Sequence, residues 1–170
     1  MKNLYLLIIL SFFCRNIIAQ SFTDPNFSVS TIVSGWTEPV GAAFSKDAEK
    51  LFVWEKAGFV YVCNKSGSSY VRQTMPVIDL TAEVLNWRDH GLMGFALDPD
   101  FATNGYIYLL YIVDRRFLMN DNSIVADDGH QATIARLTKY KTILSGGNLV
   151  IDPATRTILI DESPSSEKVR

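Results

Sequence analysis

The chain has 170 residues, a formal net charge of -2 and 48% hydrophobic residues, enough for about one globular domain. Its 16 basic and 18 acidic side chains nearly balance, and no basic patch is dense enough to suggest nucleic acid as a partner.

Lys2 and Asn3 precede an apolar run from Leu4 to Cys14, and "NIIAQS" follows with a small-residue exit. This is the order of a secretory signal peptide, cut after Ala19 or Gln20, so the mature chain is expected to begin near Gln20. The apolar run is too short to cross a bilayer as a helix, which takes about 20 apolar residues. Acylation of Cys14 would need small residues before it, and "SFFC" offers two phenylalanines. Export implies an oxidising compartment, yet cleavage removes Cys14 and leaves only Cys63, which excludes a disulfide framework. Cys63 lies in the strand-like "FVYVC" and reads as a small apolar filler rather than a reactive thiol.

Beyond the signal, period-two patterns dominate. Strands are expected at 27–33 ("FSVSTIV"), 40–45 ("VGAAFS"), 50–56 ("KLFVWEK"), 59–63 ("FVYVC"), 91–97 ("GLMGFAL"), 106–113 ("YIYLLYIV"), 132–140 ("ATIARLTKY") and 156–161 ("RTILID"). The segments between them carry the Gly, Pro, Asn, Asp and Ser that turns require. Only "LTAEVLN", 80–86, suits a turn or two of helix. The fold class is all-β, with short antiparallel strands. Their grouping into units of about 40 to 50 residues suggests β-propeller blades, and a β-sandwich is the alternative.

The stretch "GLMGFALDPDFATNGYIYLLYIV", 91–113, resembles the signature of the soluble PQQ-dependent glucose/sorbosone dehydrogenase family: a G-L-L-G, a short apolar run, H-P-D-F, an N-G turn and Y-x-Y-x-x-Y. "GWTEPVGAAFSKDAEKLFVWEKAGFVYV" is similar to that family's first blade, and "ATIARLTKY" to a later strand, so the resemblance spans most of 35–161. Asp98 departs from the pattern, since many members have His there. The resemblance implies a six-bladed propeller of which this chain supplies about two blades. With the signal peptide at 1–19, the expected boundaries are 20–34 for an N-terminal segment and strand and, by the resemblance, 35–170 for the N-terminal part of the propeller, truncated at its C-terminus. The resemblance also implies oxidation of a sugar or alcohol, with PQQ as hydride acceptor and calcium beside it.

In the family a histidine takes the substrate's hydroxyl proton, and the resemblance places it just beyond Arg170. Asp89 falls where members carry a pocket-facing acidic or amide side chain, which makes it the candidate substrate-binding residue, accepting a hydrogen bond from a sugar hydroxyl. His90 and His130 are the two histidines present, and both read as exposed or turn-satisfying. Asp98 and Asp100 read as turn formers, with Asn104-Gly105 supplying positive φ and Gly91 and Gly94 allowing close approach on an inner strand. The loop 113–131 carries Asn120, Asp121, Asn122, Asp127 and Asp128, hard oxygen donors without the spacing of a calcium loop. No cofactor or metal ligand is assignable in this chain. A non-catalytic carbohydrate- or protein-binding propeller is the second functional class, because a fold does not settle a function.

Overall fold

The computed structural model describes residues 24, 26–119 and 133–161. The chain divides into two units, Met1–Thr31 and Ile32–Arg170. In the first, the Asp24 carboxylate accepts from the Asn26 backbone at 2.9 Å and forms a local turn. The expected strand at 27–33 is absent: residues 27–33 take no regular secondary structure. Alternation alone does not make a strand, which needs a ladder partner.

The second unit opens with an antiparallel sheet of β1 (Pro39–Phe44), β2 (Lys50–Glu55), β3 (Phe59–Ser66) and β4 (Ser69–Arg72), in that order, with the short β5 (Ile78–Asp79) also pairing with β3. A second antiparallel sheet follows: β6 (Leu92–Leu97), β7 (Tyr106–Ile112), β8 (Ala135–Ser145) and β9 (Asn148–Ile160), again in chain order. The first strands of the two sheets, β1 and β6, lie beside each other, as the inner strands of successive propeller blades do. Strands β4 and β5 were not expected, and β9 begins eight residues before its expected start. The segment 80–86 makes one hydrogen-bonded turn, Leu80 O accepting from Glu83 and Val84, rather than a helix.

Packing explains why β2 reads as an unbroken apolar run. Phe52 joins Val60, Val62, Leu92, Ile107, Leu109 and Tyr111 in the core between the sheets. Its neighbours Leu51 and Val53 face the other way, where Ile32, Val33, Trp36 and Tyr70 cover them together with Cys63. Aromatic rings tie the sheets together: Phe52 stacks on Phe95 at 5.3 Å and meets Phe101 edge-on at 5.6 Å. Phe101 begins α1 (Phe101–Asn104), a single turn closed by Gly105 at φ 69, so the expected turn is a capped helical turn. A second short helix, α2 (Arg115–Met119), occupies the start of the expected long loop.

The inner strands share a local design. Each opens with a bulge that leaves one residue outside the ladder, Val40 in β1 and Met93 in β6, and each bulge is followed by a glycine. The Trp54 indole lies over Gly41, and Leu110 Cβ lies 3.3 Å from where a side chain on Gly94 would begin. Gly94 is thus crowded by the neighbouring strand of its own sheet, not by the other blade. The crowding expected between blades is found at Gly91.

Candidate functional site

Three chain turns meet where β1 and β6 begin. Lys56, at the β2–β3 turn, donates its backbone N–H to Glu38 O at 3.0 Å, and its ammonium lies 3.6 Å from the Glu38 carboxylate. Its carbonyl accepts from Leu92 N at 2.9 Å, which sets the start of β6 against the first sheet. Gly91, at φ 149, makes that approach feasible: a Cβ there would sit 2.7 Å from Lys56 O. Only glycine accepts both that backbone conformation and that distance.

From this junction projects the turn Asn86–His90, closed by the His90 N–H to Trp87 O at 2.8 Å. Arg88 holds a positive φ of 47, a strained setting for a bulky residue and one that clusters at functional positions. Asp89 is exposed at the tip. His90 is half-buried, and its Nδ1 is buried with no hydrogen-bond partner; Asn86 Oδ1 is buried in the same way. The turn therefore offers an exposed carboxylate beside an imidazole whose Nδ1 has no protein hydrogen-bond partner. His130 and the five Asn and Asp residues of the 120–128 loop lie outside the described residues.

Asp98 is built into the α1 turn. Its carboxylate accepts from Asp100 N at 3.0 Å, Asn104 Nδ2 at 2.7 Å and Tyr108 Oη at 2.7 Å. The side-chain bonds from Asn104 and Tyr108 hold Asp98 below the usual aspartate range. All of these contacts shape the turn, and Asp100 N-caps the helix without a side-chain bond. Cys63 is free and fully buried, and burial pushes its thiol pKa up, which makes it inert.

A buried polar cluster escaped the sequence reading. One oxygen of Glu83, Oε1, accepts from Tyr111 Oη at 2.8 Å, Arg136 Nη1 at 2.6 Å and Arg156 Nη2 at 2.5 Å. Glu83, Tyr111 and Arg136 are all at most 5% exposed. Burial, followed by the Glu83 charge, raises Tyr111 far above the ordinary phenol range. The local signal was a lone acid inside an apolar segment; its cationic partners stand 53 and 73 residues downstream.

Residues 36–150 match the family model described as Glucose / Sorbosone dehydrogenase. Human Hedgehog-interacting protein is 30% identical over 91 residues, which are 52% of this chain and 13% of that protein. A crystal structure of a glucose dehydrogenase, 17% identical, covers 77% of this chain and 32% of its own at a TM-score of 0.55. The PQQ-bound aldose sugar dehydrogenase of Streptomyces coelicolor, 18% identical, covers 76% and 33% at a TM-score of 0.48. The chain thus spans under two thirds of each of these proteins, and the likeness to glucose dehydrogenase shows its fold as that of a β-propeller. With the family model lying on both sheets and on more than half of the chain, this protein belongs to the glucose/sorbosone dehydrogenase family.

Proposed function

We propose that this chain is the N-terminal part of an exported dehydrogenase that oxidises a sugar or alcohol. PQQ, when bound, would accept hydride from the carbinol carbon of the substrate, and a histidine beyond Arg170 would take the hydroxyl proton. The boundaries are a signal peptide at 1–19, a leading segment at 20–34 and the propeller from 35 onward. The observation that supports this reading best is the family match over 36–150, which includes the Asn86–His90 turn at the mouth of an inner strand. In this reading Asp89 accepts a hydrogen bond from a sugar hydroxyl, and the His90 N–H to Trp87 O bond that closes the turn limits how far it strays.

Nothing among the described residues assigns a site for PQQ or calcium. No three His, Cys, Asp or Glu side chains among them gather to hold a metal ion. The guanidiniums of Arg136 and Arg156, a usual partner for cofactor carboxylates, are committed to Glu83. In this reading both groups are held by later blades, and this chain contributes to the substrate side. No helix among the described residues is long and apolar enough to cross a membrane.

The second reading is a non-catalytic propeller that binds carbohydrate or protein, and the similarity to Hedgehog-interacting protein favours it. A dye-linked assay with D-glucose, added PQQ and calcium separates the two. The 170-residue chain alone should be inactive, and the gene product extended past Arg170 should turn over. In that product Asp89→Asn should raise KM about tenfold with a smaller change in kcat, the effect of losing one charge-assisted hydrogen bond. An extended protein that bound glucose without oxidising it would overturn the dehydrogenase reading in favour of the second.

A further inference from the structure

The turn Asn86–His90 leaves the second sheet through a neck one residue wide. Ile112, the last residue of β7, accepts from Leu85 N through its carbonyl at 2.9 Å and donates its own N–H to Gly91 O at 3.0 Å. One residue therefore holds both ends of the turn. The incoming side needs a second anchor, because Leu85 is reached from Leu80 by a loop with few ladder bonds. That anchor is Glu83. Its backbone carbonyl accepts from Asp114 N at 2.7 Å, Val84 bridges to Val113, and its side chain binds donors from β7, β8 and β9 at once.

We propose that Glu83 is the positioning residue of the Asn86–His90 turn and thereby of Asp89; the link to Asp89's chemistry rests on the substrate reading above. A carboxylate shared by two guanidiniums and a phenol has one place to sit. It carries the position of three strands into a loop that has no strand partner of its own along its tip. Were the cluster only a stability element of the core, its loss would loosen the whole unit alike.

Amide hydrogen exchange on the 170-residue chain distinguishes these cases. In Glu83→Gln, the amides of Leu85, His90 and Ile112 should exchange about tenfold faster, beyond any change in the β2–β3 ladder. Equal acceleration of neck and ladder, or none, would overturn the proposal. If Glu83→Gln does not fold, Tyr111→Phe takes its place, since it removes one donor and leaves both arginines on the carboxylate. The same selectivity is expected there with smaller amplitude, and its absence would count against Glu83 equally. In the extended protein with D-glucose, the variant should raise KM more than it lowers kcat, and adding Asp89→Asn should produce little further rise. Selective loosening with an unchanged KM would leave the positioning role standing and remove the substrate role of Asp89 instead.

Discussion

The side-chain amide of Gln73 binds the backbone of Leu149 in both directions, Nε2 donating to Leu149 O at 2.8 Å and Leu149 N donating to Oε1 at 3.0 Å. Gln73 follows β4 of the first sheet and Leu149 lies in β9 of the second, so one side chain makes the two hydrogen bonds of a ladder pair between blades. Two residues on, the Ile151 N–H reaches Val77 O at 2.9 Å and continues the seam.

Gln73→Ala should therefore lower stability by about 1–3 kcal/mol, two part-buried hydrogen bonds at about 1 kcal/mol each plus an orphaned amide. Urea unfolding midpoints measure it. A Gln73→Glu variant should fare worse near neutral pH, because it keeps the acceptor and replaces the donor with a charge facing a carbonyl.

Gly91→Ala should be the most damaging of the glycine substitutions in the second unit outside the Trp54 contact. It combines a Gly-only backbone region, about 1–3 kcal/mol, with overpacking against Lys56, another 1–3 kcal/mol. Gly67→Ala, at φ 62 with open space around it, should lose only about 1–2 kcal/mol. Thermal or urea melts of the two variants would give the ratio, and equal losses would show that the Gly91–Lys56 approach is not tight.

Asp98 gives a pH signature. Its folded pKa is depressed, so its contribution is fully present above the unfolded value near 3.9 and is lost as pH falls through the folded value. In Asp98→Asn the stability curve should be flatter below about pH 4 than in the parent, as read from acid unfolding at several pH values.

Tyr111 acts at the other end of the scale. With its folded pKa raised, its contribution is present below the unfolded value near 10 and is lost as pH rises past it. Tyr111→Phe should make the fall in stability above about pH 10 shallower. An absorbance titration of phenolate should lose a component that ionises only on unfolding.

Export is tested directly by N-terminal sequencing of the secreted protein, which should begin near Gln20. Recovery of Met1 or Lys2 would remove the signal-peptide assignment.

The inner-strand pair was legible in the sequence because its information is local. "GLMGFALDPDFATNGYIY" encodes a turn held by Asp98 and a left-handed Gly105 within 18 residues, each where the residue types require it, whereas the bulge at Met93 was not foreseen. Strand β4 was not legible, since "SYVR" is short and mostly exposed and owes its ladder to β3. The opposite error occurred at 27–33, where clean alternation has no ladder behind it. Asp89, singled out by resemblance, lies exposed at the tip of its turn, whereas Glu83 could not be foreseen because Arg136 and Arg156 reach it only through strand register, and register is not written in any one segment.

The two hydrogen bonds made by Ile112 also make the Asn86–His90 segment a cassette. Since the neck is closed by one residue, the residues inside it can change in number without disturbing the β6–β7 ladder below. Chain-closure entropy rises slowly, by about 0.6 kcal/mol for each doubling of loop length. Insertions there would be cheap for the fold and expensive only for whatever the tip touches, so this turn is a natural position at which relatives on the same scaffold can differ in what they recognise.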